Sequence, residues 1–123
     1  MKILAIDDEQ SNLLLIETML MDYDIELDSF LNPEQALTHL KDHPDYELIL
    51  VDKMMPEMDG TEFINRVRAV DTIAAIPIVV QSASALPEQI ELVMDEGADY
   101  YLVKPFTKVQ LITAIQQSTQ SKT

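Results

Sequence analysis

Five times along this chain a short apolar run gives way to a segment with helical spacing, and no other feature limits the fold as strongly. The runs are Lys2 to Ile6, Ile25 to Phe30, Leu48 to Val51, Pro77 to Gln81 and Tyr100 to Val103. Each is short, and each is read as a strand buried on both faces. A chain that alternates strand and helix in this way builds a parallel sheet, because each crossover must return right-handed to the sheet. The expected fold is therefore doubly wound α/β, with five parallel strands and helices on both faces.

The helical segments carry their own start and stop signals. The first has an apolar stripe of Leu13, Leu14, Ile16, Met19 and Leu20. The second opens at Asn32-Pro33, a cap followed by proline at the first helical position, and turns Leu37 and Leu40 inward. The third follows Asp59-Gly60-Thr61 and packs through Phe63, Ile64 and Val67. The fourth starts at Pro87, ends at Gly97 and presents Ile90, Val93 and Met94. The fifth begins at Thr107, an N-cap, and carries Val109, Leu111, Ile112 and Ile115. From Gln116 onward the chain turns polar and is expected to fray. A single domain over 1–118 with a short polar tail over 119–123 follows, and at 123 residues with 47% apolar content it can bury roughly two-thirds of its unfolded surface.

Composition excludes several functions. The chain has no cysteine, which removes disulfides, thiolate zinc sites and cysteine nucleophiles. A formal net charge of -14 repels phosphate backbones and anionic lipid, so direct nucleic-acid and membrane partners are not expected. No apolar stretch approaches the ~20 residues of a membrane-spanning helix, and the start Met-Lys-Ile-Leu-Ala-Ile is no signal peptide. A soluble cytoplasmic protein is the expectation.

In an open parallel sheet the ligand site lies beyond the carboxyl ends of the strands. Those ends read Asp7-Asp8-Glu9 after the first, Asp52 after the third, Ser82 after the fourth and Lys104-Pro105 after the fifth. Carboxylates converging to a few ångströms repel by about 4 kcal/mol per pair at an effective dielectric of 20, so a cation is needed to offset them. All-oxygen ligands that leave room for water suit Mg²⁺. Mg²⁺ among carboxylates, beside one lysine and one hydroxyl, is the equipment of phosphoryl transfer, and a carboxylate can itself be the nucleophile. Asp52, at the end of Leu48-Ile49-Leu50-Val51, is the best placed acceptor. Lys104 and Ser82 would each meet a phosphoryl oxygen, while Met55-Pro56 and Asp59-Gly60 shape the loop.

Asp7-Asp8, Asp52 with Met55-Pro56-Glu57-Met58-Asp59-Gly60, Ser82-Ala83 and Lys104-Pro105-Phe106, in that order, closely resemble a response-regulator receiver domain of two-component signalling. The resemblance covers essentially the whole chain and implies the CheY-like, flavodoxin-like architecture. It implies that Asp52 is the phosphoacceptor, and that Asp7, Asp8, Asp52 and the backbone carbonyl of Met54 form the Mg²⁺ shell. It also implies that Lys104 is the phosphoryl-pairing lysine, Ser82 the hydroxyl sensor and Tyr101 the switch aromatic, although a plain core tyrosine is the alternative for Tyr101. The read-out surface would be the fourth helix, fifth strand and fifth helix. A sensor histidine kinase or a histidine phosphotransfer protein would donate the phosphoryl group, a separate or fused effector would receive the signal, and the only chemistry would be self-directed.

Two positions set this chain apart. Met54 and Ser84 stand two residues beyond the acceptor and the hydroxyl, and a methionine there cannot orient a hydrolytic water, so slow self-dephosphorylation is expected. The fifth helix lacks the arginine-rich pattern of receivers that dimerise through that face on DNA. Lys53 and Glu57 read as loop charges, His39 and His43 as surface residues. A flavodoxin-like cofactor binder would need a hydroxyl- and glycine-rich loop where Asp7-Asp8-Glu9 stands, and a haloacid-dehalogenase-type phosphatase would carry its Asp-x-Asp after the first strand. The remaining alternative is a receiver-fold interaction module that works without phosphorylation.

Overall fold

In the computed structural model, residues 1–120 are described, and they form a five-stranded parallel sheet between two layers of helices. In chain order the elements are β1 (Lys2–Ile6), α1 (Gln10–Leu20), β2 (Glu26–Phe30), α2 (Pro33–Asp42), β3 (Leu48–Asp52), α3 (Gly60–Arg68), β4 (Ile78–Ser82), α4 (Pro87–Asp95), β5 (Tyr100–Val103) and α5 (Lys108–Gln120). The sheet order is β2-β1-β3-β4-β5, so the strand sequence reverses between β1 and β3. That reversal opens a crevice at the carboxyl edge.

Strand alternation divides the apolar side chains between two cores. Leu4, Ile6, Ile49, Val51, Ile78 and Val80 face α2, α3 and α4, where Leu37, Leu40, Phe63, Ile64 and Val93 meet them. Ile3, Ala5, Leu48, Leu50 and Val79 face α1 and α5, against Leu13, Ile16, Leu111 and Ile115. Burial on both faces holds for β3 and β4, and for β1 beyond Lys2, but not for β2 and β5. These two are edge strands: β2 has no fully buried residue and β5 buries only Leu102. The apolar content of Ile25 to Phe30 conceals that Glu26, Asp28 and Ser29 leave it a polar margin.

Side-chain caps mark the starts of α2, α3 and α5, whereas α1 and α4 begin without one. The Asn32 side chain accepts from Gln35 N at 3.0 Å and the Asp59 side chain accepts from Glu62 N at 2.9 Å, each satisfying an orphan first-turn donor. Thr107 and Gln110 form a reciprocal box at the start of α5: Gln110 N donates to Thr107 Oγ1 and Thr107 N to Gln110 Oε1. Three expectations need correction. Leu14 is exposed, because the buried stripe of α1 is Leu13, Ile16 and Leu20. On α4 only Val93 is buried and Met94 faces outward. The segment from Gln116 does not fray at once: α5 continues to Gln120, with Ser118 turned inward, and the rest of the expected tail, 121–123, lies outside the described residues.

One arginine ties the far end of the sheet. Arg68, in the last turn of α3, donates to the carbonyls of Ala74, Ile76 and Gly97 and pairs with Asp99 at 2.9 Å, and Asp99 accepts from Ile78 N. Gly97 sits at φ +116, a left-handed conformation that costs glycine least, and it closes α4. Among the described residues no helix is long and apolar enough to cross a membrane.

Candidate functional site

The parity of three strands fixes which side chains meet at the crevice. Ile6 stands opposite Val51 in the β1–β3 register, so the next positions, Asp7 and Asp52, leave the sheet side by side on the α1 and α5 side. Lys104 follows β5 on the same side as Leu102, and its backbone N donates to Ser82 O at 2.7 Å. The Lys104–Pro105 peptide is cis. Asp8 lies exposed on the rim.

One carboxylate oxygen from each of Asp7, Asp8 and Asp52 lies within 4.8 Å of the others. Lys104 Nζ donates to Asp52 Oδ1 at 2.8 Å and stands 3.5 Å from Asp7 Oδ2. Three carboxylates against one ammonium leave surplus negative charge in a largely buried place. Burial raises the Asp52 carboxyl above its ordinary value, helped by the charges of Asp7 and Asp8 and opposed by Lys104. Burial would lower the Lys104 ammonium, but its hydrogen bond to Asp52 and the charges of Asp52 and Asp7 outweigh that and hold it above the ordinary value.

A hard divalent cation fits these residues on a separate ground. Asp7 Oδ2 is buried and accepts no hydrogen bond, with the Lys104 ammonium no nearer than 3.5 Å, so lone pairs stay open beside two other carboxylates. Asp7 Oδ1 is already used, accepting from Glu9 N at 2.9 Å, which fixes the ring of oxygens in place. An all-oxygen set of this kind is that of Mg²⁺ rather than a softer metal.

The loop after β3 is held tightly. Gly60 N donates to Lys53 O at 2.8 Å, and a Cβ at Gly60 would come within 3.0 Å of Lys53 Cα and 3.2 Å of Asp52 O. Only glycine lets the start of α3 lie against the backbone of Asp52 and Lys53. Met55 and Met58 are buried beneath the loop, whereas Met54 is 71% exposed at its tip. Glu57 is more than a loop charge, since it accepts from Asn32 Nδ2 and joins this loop to the cap of α2.

Ser82 is buried at the end of β4, where its Oγ accepts from Ser84 N at 3.2 Å. Tyr101 lies half-buried against the α2–α4 core, and its hydroxyl donates to Ser84 O at 2.8 Å. The two therefore meet at one residue of the β4–α4 loop, Ser84, through its N–H and its carbonyl. Beside Lys104 a mostly apolar cleft of about 320 Å³ opens between Asn12 and Leu15 of α1 and Phe106, with Gln81 in its wall.

One histidine departs from expectation, while His43 is exposed as expected. His39 is half-buried, its Nε2 is 2.9 Å from the Tyr46 hydroxyl, and that hydroxyl donates to Asp28. The hydroxyl's one proton goes to Asp28, so His39 Nε2 carries the proton of the other bond. The only signal in the sequence was polar residues at an edge strand, which periodicity does not connect to Tyr46.

An α/β sheet with a cation-fitting triad of aspartates and a lysine at its carboxyl edge gathers the groups that phosphoryl-group chemistry needs. The family model for the response regulator receiver domain matches residues 3–116. The chain belongs to the response regulator receiver domain family and is a receiver domain of two-component systems. It is 31% identical over 121 residues to the sensor histidine kinase GacS of Pseudomonas protegens, covering 96% of this chain but only 13% of that protein. It is 31% identical to the two-component response regulator ORR11 of Oryza sativa subsp. indica, over 84% of this chain and 70% of the relative. Among solved structures, chemotaxis protein CheY4 of Vibrio cholerae superposes with a TM-score of 0.88 at 29% identity, covering 95% of this chain and 97% of that one. The receiver domain of the sensor histidine kinase PA1611 from Pseudomonas aeruginosa PAO1, with a magnesium ion in its active-site cleft, gives 0.86 at 28% identity and covers 97% of each chain.

Proposed function

We propose that Asp52 accepts a phosphoryl group from a phosphohistidine and that the resulting acyl phosphate switches the surface formed by α4, β5 and α5. The observation that carries this reading is the convergence of Asp7, Asp8 and Asp52 within 4.8 Å with Lys104 bonded to Asp52 at 2.8 Å. A carboxylate oxygen of Asp52 attacks phosphorus, the P–N bond breaks, and the electron pair leaves on the imidazole nitrogen. Lys104 keeps an ammonium on the side where a phosphoryl oxygen would lie, and Ser82 Oγ offers the hydroxyl for another. Asp7, Asp8, Asp52 and the backbone carbonyl of Met54 would hold Mg²⁺, which neutralises the charge that builds on the transferring group.

Ser82 and Tyr101 form the transmission. A phosphoryl oxygen that draws Ser82 Oγ away releases Ser84 N, while Tyr101 holds Ser84 O, so the β4–α4 loop has two arrangements and the acyl phosphate favours one. The donor would be a sensor histidine kinase or a histidine phosphotransfer protein, and the mostly apolar cleft beside Lys104 leaves an approach for it. Self-directed phosphotransfer and slow self-dephosphorylation would be the chain's only catalysis. The same reading places it in the cytoplasm, where ATP-derived phosphohistidine is made.

The test is intact-mass spectrometry after incubation with acetyl phosphate, with and without Mg²⁺, on the wild type and on Asp52→Asn. A single phosphoryl adduct that requires Mg²⁺ and vanishes in the variant is expected. An adduct that persists in Asp52→Asn removes Asp52 from the role, and no adduct from either acetyl phosphate or a phosphohistidine donor would leave a phosphorylation-independent interaction module.

A further inference from the structure

From Ala69 to Val103 the chain has no lysine or arginine, although Asp71, Glu88, Glu91, Asp95, Glu96 and Asp99 fall in that stretch. Glu88, Glu91, Leu92 and Asp95 are exposed and recur at helical spacing on the outward side of α4. Among the described residues none of Glu88, Glu91, Asp95 and Glu96 takes part in a salt bridge. The pattern also works against the helix. Glu91 and Asp95 repel at i and i+4, and Asp95 and Glu96 stand at the negative end of the dipole with no basic residue in the last turn.

The same face is apolar where it is not acidic. Leu86 is 55%, Leu92 51% and Val109 74% exposed, and between β5 and α5 a groove of about 290 Å³ is lined by Tyr101, Val103, Val109 and Thr113. β5 is a sheet edge and α4 buries only Val93, so this side of the molecule is a helix face and a groove without a cover. Large apolar side chains ringed by uncompensated carboxylates call for an occupant with apolar anchors flanked by positive charge.

Resting on the reading of α4, β5 and α5 as the output surface, we infer that the partner docks there through a cationic amphipathic helix. Its apolar residues enter the groove beside Tyr101 and Val109, and its lysines or arginines, at the spacing of Glu88, Glu91 and Asp95, pair along α4. The same charges repel an anionic helix and give a neutral one no ion pairs.

The test uses the full chain and two synthetic amphipathic peptides of about 18 residues, roughly 27 Å when helical, with identical leucine stripes and polar faces of lysine or of glutamate. Binding is followed by amide NMR and fluorescence anisotropy, before and after phosphorylation with acetyl phosphate and Mg²⁺. The lysine peptide is expected to shift Leu92, Tyr101 and Val109 and to weaken about tenfold or more between about 50 and 300 mM salt. Glu91→Lys with Asp95→Lys should weaken it about tenfold, whereas Glu17→Lys with Asp42→Lys, the same change in net charge elsewhere, should not. Equal binding of the glutamate peptide, equal loss in both double variants, or shifts confined to other faces would overturn the inference. Charge-dependent binding at this face that is the same for both phosphorylation states would uphold the partner's chemistry and overturn the switching of the surface. A missing mass adduct would count against Asp52 alone.

Discussion

Asp52 is buried beside two other carboxylates with a single ammonium against them, so the site costs the metal-free fold stability. Replacing Asp52 by Asn removes one of the three negative charges and keeps the shape. In EDTA the variant should unfold about 3–6 °C higher than the wild type, from about 1 kcal/mol of relieved repulsion. Mg²⁺ should then stabilise the wild type more than the variant, which scanning calorimetry at matched pH reads directly. Met54 is expected to bear on a different property, the lifetime of the proposed acyl phosphate. Its side chain is exposed at the tip of the acceptor loop and offers water no strong hydrogen bond. Met54→Asn places an amide there and should shorten the acyl-phosphate lifetime about three- to tenfold, or roughly 0.7–1.4 kcal/mol of barrier, as followed by loss of the mass adduct. An unchanged lifetime would remove Met54 from the control of hydrolysis.

At the scale of elements, the chain is held at the two ends of its sheet by different means. The carboxyl end is a ring of charges that repel, and the amino end is tied by Arg68, whose guanidinium reaches α3, the approach to β4 and the α4–β5 loop. Arg68→Met leaves the Gly97, Ala74 and Ile76 carbonyls without that donor and Asp99 without its cation. A loss of about 2–4 kcal/mol in urea unfolding is expected, with phosphorylation of Asp52 retained. What the sequence made legible follows the same division. The caps at Asn32 and Thr107, and the strand-end residues Asp7, Asp52 and Lys104, were readable because short-range chemistry and strand parity fix them. The Arg68 tie, the exposed margins of β2 and β5 and the burial of His39 were not. They depend on which strands are edges and which loops meet across the sheet, and neither periodicity nor propensity carries that information.

Across the whole molecule, the network of Asp28, Tyr46 and His39 links β2, the approach to β3 and α2. Burial and the hydrogen bond to Asp28 raise the Tyr46 pKa well above its ordinary 10.0. The folded state therefore keeps this proton after the unfolded chain has lost it. Its contribution is complete below pH 10.0 and is lost as pH rises through the folded value, by up to about 1.4 kcal/mol per unit. Tyr46→Phe should be less stable at neutral pH, because Asp28 and His39 lose their partner. It should also lose less stability than the wild type above pH 10, a difference that denaturant titrations at several pH values would show.

The proposed acceptor role of Asp52 is tested most directly by chemical trapping of the acyl phosphate. After incubation with a phosphohistidine donor and Mg²⁺, borohydride reduction converts a phosphorylated aspartate to homoserine, and peptide mapping locates it. Homoserine at position 52, and at neither 7 nor 8, is the predicted result. Homoserine at Asp7 or Asp8, or a phosphoryl group that survives on another residue type, would contradict it.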